Sequence, residues 1–162
     1  MAASSDVAVS ISIDRTSLSP CIVASPSAKF DPTQSHKFPF SYTENSFLES
    51  PIIAAVASHL GLPTSTHSKL AGLIQSLWEI FKEKEAFVLE TLVGVAKDGD
   101  LEVHAARLGF DDAAFRSSGR QEDIHSLRNT AEEVPEEVEA EKDGIVYVKY
   151  VDQVLPTDTV KC

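Results

Sequence analysis

Two groupings of ionisable residues in this chain have the types and spacing that chemistry uses. Glu102 and His104 stand two apart in a segment that reads as a strand, so their side chains leave the same face. A carboxylate beside an imidazole suits a divalent cation. The same spacing is also the solvated outer face of an antiparallel strand, which is the plainer expectation. Asp111-Asp112 with Arg116 offers a metal or nucleotide contact, or a helix N-cap with a local ion pair. The run Glu132, Glu133, Glu136, Glu137, Glu139, Glu141 and Asp143 holds seven of the twenty-five acids. A helix does not converge them all on one ion, so an exposed helix with acids near its N-terminus is expected. His125 stands in Gln121-Glu122-Asp123-Ile124-His125, and His36, His59 and His67 are isolated. Nucleophile elbows, phosphate-binding loops and Cys/His zinc spacings are absent. The two cysteines, Cys21 and Cys162, lie far apart and read as free thiols of a reducing compartment rather than a disulfide.

The elements that would position these groups are legible from period and punctuation. Val7, Val9, Ile11 and Ile13 alternate with small residues, the pattern of a half-buried strand, and Cys21-Ile22-Val23-Ala24 reads as its return. Residues 26–45, rich in Pro, Ser and Thr, read as an irregular connection. Ser50-Pro51 opens a helix that Gly61 and Pro63 end. A second helix runs from about Thr66 to Lys84, with Leu70, Leu73, Ile74, Leu77, Trp78 and Phe81 on its apolar face. Phe87–Val95 and Leu101–Arg107 form a hairpin around Asp98-Gly99, placing Ala105 on one face with Val103, and Glu102 and His104 on the other. A short helix over Gln121–Arg128, a helix from Pro135 and a last strand over Ile145–Tyr150 complete an α+β order, a mixed or antiparallel sheet packed by two main helices.

Composition sets bounds on function. With 162 residues and 43% apolar content the chain can bury one ordinary core. A net charge of −11 disfavours binding to a nucleic-acid backbone, and no apolar run reaches the length of a membrane span. Met1–Ser10 carries an acid and no base, unlike a secretory signal or a mitochondrial presequence.

Several stretches, in order and spacing, carry a resemblance. They are Ile13-Asp14-Arg15, Val23-Ala24-Ser25, Lys97-Asp98-Gly99, Phe110-Asp111-Asp112 and Pro135-Glu136-Glu137-Val138-Glu139-Ala140. They resemble the second half of the ATP-grasp domain in the β subunit of succinate–CoA ligase. The match would cover residues 7–151, leaving 1–6 as a disordered start and 152–162 as a tail unlike the family. The resemblance implies a lobe of a site for Mg-ATP or Mg-GTP, an α subunit as partner, a place in the tricarboxylic acid cycle and the mitochondrial matrix as compartment. Without a presequence the chain as it stands would be cytoplasmic. The family's two magnesium-orienting positions, an Asn and an Asp, fall at Thr91 and Ala105; sliding the first strand by one brings Leu92 to the Asn position. Neither register keeps both ligand types, so no metal or catalytic residue is assigned. The first lobe and the CoA-ligase domain would lie outside the chain, and the expectation is a chain inactive alone, or a non-catalytic remnant or interaction module.

Overall fold

A computed structural model of the chain describes residues 6–43, 46–47, 50–96, 100–111 and 119–147. It divides into two compact units, Met1–Gln121 and Glu122–Cys162.

The first unit is a five-stranded sheet in the order β3-β2-β1-β4-β5, with every pairing antiparallel. Its strands are β1 (Val7–Asp14), β2 (Ser19–Ser25), β3 (His36–Pro39), β4 (Ala86–Val95) and β5 (Leu101–Phe110), and two helices, α1 (Pro51–Leu60) and α2 (His67–Lys84), stand between β3 and β4 in sequence. The strands and helices expected between Val7 and Arg107 form where apolar period and punctuation put them. Ser50 is the N-cap of α1, Pro51 its first residue, and Gly61 takes the left-handed conformation at φ 67° that ends it.

One face of the sheet carries the core. Val7, Val9 and Ile11 of β1, Ile22 and Ala24 of β2, and Leu89 and Val93 of β4 are buried with Ile53, Val56 and Leu60 of α1 and Leu70, Ile74, Leu77 and Trp78 of α2. Each such aliphatic side chain contributes about 1.5–3 kcal/mol by leaving water. Trp78 is enclosed by aromatic rings: Phe40 and Tyr42 meet it edge-on at 5.0 and 5.2 Å, and Phe81 stacks at 5.6 Å.

Four sequence expectations change. The stretch 26–45 is not wholly irregular, because His36–Pro39 adds to β2 as an edge strand; backbone pairing needs no apolar period of its own. The start of β1 is buried on both faces, since Ala8 and Ser10 are covered as well as Val7 and Val9. Of the helix expected over Gln121–Arg128, only Glu122–His125 (α3) is helical. The described part of the last expected strand, Ile145–Tyr147, is not in a strand. The Asp98-Gly99 turn, Asp112, Arg116 and Cys162 lie outside the described residues.

The second unit contains α3, a turn of 3-10 helix at Thr130–Glu132 and α4 (Pro135–Lys142), none of which buries a residue. Polar contacts tie it together instead. Arg128 pairs with Glu133 and, at 2.7 Å, with Glu141, bridging the 3-10 turn and α4. The acids of α4 begin in its first turn at Glu136 and Glu137, where the helix dipole favours them. Of the acidic run, Glu136, Glu137, Glu139 and Glu141 lie on this helix, whereas Glu132 and Glu133 precede it and Asp143 is its C-cap.

Candidate functional site

The pleat alternates the side chains of β4 between the two sheet faces. Leu89, Thr91 and Val93 face the core, so Glu90, Leu92 and Gly94 face the opposite side. Cross-strand partners share a face, so Leu92 brings Ala105 to that second side and Glu90 brings Arg107. The connection after β2 lies beside them, and together they enclose an open cleft of about 340 Å³. Its walls include Lys29, Phe30, Glu90, Leu92, Ala105 and Arg107. The volume is at the low end of small-molecule sites. Arg107 and Glu90 approach to 3.4 Å across the sheet, an exposed pair worth at most about 1 kcal/mol.

Thr91, the first of the two positions to which the resemblance assigns a magnesium ligand, does not share this face with Ala105. It pairs with Val9 and Ala106, is 3% exposed, and its hydroxyl donates to the Val9 carbonyl at 2.9 Å. The residue that does stand opposite Ala105 is Leu92, the position of the slid register. Leu92 and Ala105 carry no oxygen ligand, and magnesium takes oxygen ligands almost exclusively.

The expected placement of Glu102 and His104 is also corrected. The register shifts between Leu92 and Val93, so that Ala105 faces Leu92 while Val103 faces Val93. The residue between, His104, is the extra one of a β-bulge. Ala105 and Val103 therefore lie on opposite faces, and Glu102, paired with Gly94, is on the cleft side with Ala105. The His104 ring lies over Gly94: a Cβ there would stand 2.5 Å from its Cε1. His104 Nδ1 is 2.9 Å from Asp6 Oδ1, and Nε2 is 3.6 Å from Glu102 Oε2. Asp6 carries no sequence signal for this role, because it reaches β5 only through the pairing of β1 with β4.

Other candidates fall to structural roles. His36, His59 and Phe38 form a ring cluster, and His59 Nε2 meets the Gln34 carbonyl at 3.1 Å. Burial pushes the Cys21 thiol up from its ordinary range, which disfavours thiolate chemistry. Gln121, fully buried, donates to the carbonyls of Lys84 and Asp111 at 2.7 and 3.0 Å, fastening the end of the unit to α2. Among the described residues no group of three or more His, Cys, Asp or Glu is placed to hold a metal, and no helix is long and apolar enough to cross a membrane.

Fold and cleft define an α+β domain whose antiparallel sheet has helices on one face and an open, largely apolar cleft on the other. The comparisons with known proteins give relatives to which part of the chain is similar. The chain is 35% identical over 95 residues to the succinate–CoA ligase [ADP-forming] subunit beta of Staphylococcus aureus (strain bovine RF122 / ET3-1), 57% of this chain and 24% of the relative. It is 37% identical over 94 residues to the same subunit of Paracoccus denitrificans (strain Pd 1222), 57% of this chain and 23% of that protein. The subunit of Exiguobacterium sibiricum is 33% identical over 94 residues. The resemblance read from the sequence therefore holds: this chain is similar to part of the succinate–CoA ligase β subunit. It spans about a quarter of the length of these curated relatives. No family model matches it.

Proposed function

We propose that this chain corresponds to the second lobe of an ATP-grasp domain of the succinate–CoA ligase β type, and that it has lost the magnesium-nucleotide chemistry of that ancestry. The observation that carries the reading is the Leu92–Ala105 pair on the cleft face, where two oxygen ligands to one cation would have to face each other. A leucine and an alanine cannot replace an ion's hydration shell. Thr91 cannot substitute, because its hydroxyl is turned to the opposite face and already donates to Val9.

The function that remains on this reading is non-catalytic: a folded remnant or interaction module. On the same ancestry its companion would be an α subunit and its compartment the mitochondrial matrix. Isothermal calorimetry with Mg-ATP and Mg-GTP tests the loss. No heat of binding at millimolar nucleotide is expected from this chain. Magnesium-dependent binding at micromolar nucleotide would overturn the reading.

A further inference from the structure

Among the described strands β5 ends the sheet, and residues 102–108 of it are all exposed. An edge strand leaves a row of backbone N–H and C=O groups without a strand partner, a template for one more strand. The opposite edge, β3, is blunted: it is four residues long, carries Lys37 and ends in Pro39, which has no N–H to offer. β5 is ten residues long and contains no proline.

The bulge makes this edge complementary to itself. In a regular strand Glu102 and Arg107, five residues apart, would leave opposite faces. The extra residue at His104 puts both on the cleft side, where they pair with Gly94 and Glu90. Val103, Ala106 and Leu108 pair with Val93, Thr91 and Leu89 and so share the helix-side face. Val103 and Leu108 remain 51% and 45% exposed there. The rungs therefore read the same from either end: charged, apolar, bulge, apolar, charged. A two-fold axis through the bulge brings like faces together along the whole strand. It also brings opposite charges together, twice over. An axis placed elsewhere sets one bulge against a regular rung and mismatches the faces beyond it. Ala105 and Ala106, next to the axis, are small enough for close approach.

We propose that β5 pairs antiparallel with β5 of a second copy of this chain about a two-fold axis at His104–Ala105. Glu102 then meets Arg107 of the second copy on the cleft side, and Val103 and Leu108 meet Ala106 and Leu101 of the second copy on the helix side. Such an isologous contact closes on itself, and the blunted β3 edges end the joined sheet. A one-strand interface falls at the small end of specific contacts, below about 1,200 Å² in total, so the dimer is concentration-dependent rather than permanent. The pairing needs only the β5 edge and does not rest on the loss of nucleotide binding.

The test is sedimentation velocity of the full chain without nucleotide, from micromolar to near-millimolar concentration. The expected result is a monomer–dimer equilibrium that moves toward monomer at high salt, because exposed charge pairs are screened. E102R and R107E should each weaken it at least about tenfold, since each sets like charges against each other twice across the axis. E102R/R107E, which exchanges the two charges, should recover most of that loss. V103K, a charge on the paired edge, should also favour monomer. All these residues are exposed, and far-UV circular dichroism verifies the fold of each variant. A wild-type chain that stays monomeric throughout, or that assembles beyond two copies, overturns the proposal. So do single variants that dimerise as tightly as wild type, or a double variant that dimerises no better than the single ones.

Discussion

Leu92 and Ala105 face each other directly across the β4–β5 ladder, on the sheet face away from the helices. Thr91, one residue earlier, points into the core and pairs with Ala106. On the function proposed above, the effect of introducing oxygen ligands is therefore predicted to depend on register. An L92N/A105D double variant should gain magnesium-dependent nucleotide affinity of at least about tenfold, or about 1.4 kcal/mol. T91N/A105D should gain none, because its two new side chains leave opposite faces and the Asn disturbs a buried site. Calorimetry with and without magnesium separates the two, and equal gains would refute the pairing.

Gly94 makes a second prediction. In G94A the new Cβ would press on the end of a partly exposed imidazole, which can swing away. The cost to stability should stay below about 1 kcal/mol, while His104 leaves Asp6. The ring-nitrogen shifts of His104, read by NMR in wild type and G94A, report the displacement.

The turn between β1 and β2 should give a pH signature. Asp14 accepts hydrogen bonds from Lys37 Nζ at 2.8 Å and from the Ser17 hydroxyl and amide, and these hold its carboxyl well below the usual carboxylate range. A depressed carboxyl stabilises the fold above its unfolded value of about 3.9 and loses that contribution as pH falls toward its folded value. Lys37, raised by the same partner, contributes below its own ordinary value and loses that contribution only in strong alkali. D14N should thus lower the urea midpoint at pH 7, and the gap to wild type should narrow below about pH 4. A gap that widens in acid would contradict the assignment.

Core packing sets the largest mutational cost. Ile74 is fully buried between α2 and the sheet. I74A should destabilise by about 2–5 kcal/mol in chemical denaturation. F87S, at a side chain 68% exposed, should change stability by less than about 0.5 kcal/mol.

In the second unit, Arg128 replaces a core. R128A removes the bridge from the 3-10 turn to α4, and R128K cannot hold Glu133 and Glu141 at once. Both variants should speed proteolysis between residues 122 and 147, with the first unit unaffected. Unchanged cleavage would show that the segment is held by something else.

Much of the fold is legible in the chain because its causes are local. Alternation at Val7–Ile13, the apolar stripe of α2, and Pro51 with Gly61 each act within a few residues, so each is visible there. β3 was not legible, since His36–Pro39 gains its conformation from pairing with β2 rather than from its own pattern. The order of short motifs sufficed to indicate a relationship to the succinate–CoA ligase β subunit, and the similarity to that subunit bears it out.

The candidate site divides along the same line. Residue type alone shows that Ala105 offers no side-chain oxygen and that its partner is a threonine or a leucine, not an asparagine, according to register. Which residue is the partner follows from strand pairing in the folded sheet. A strand's faces alternate every residue, so one bulge at His104 moves Glu102 and His104 to the Ala105 side, separates Val103 from it and brings Asp6 within reach. Register depends on pairings between residues as distant as Asp6 and His104, and no local pattern specifies it.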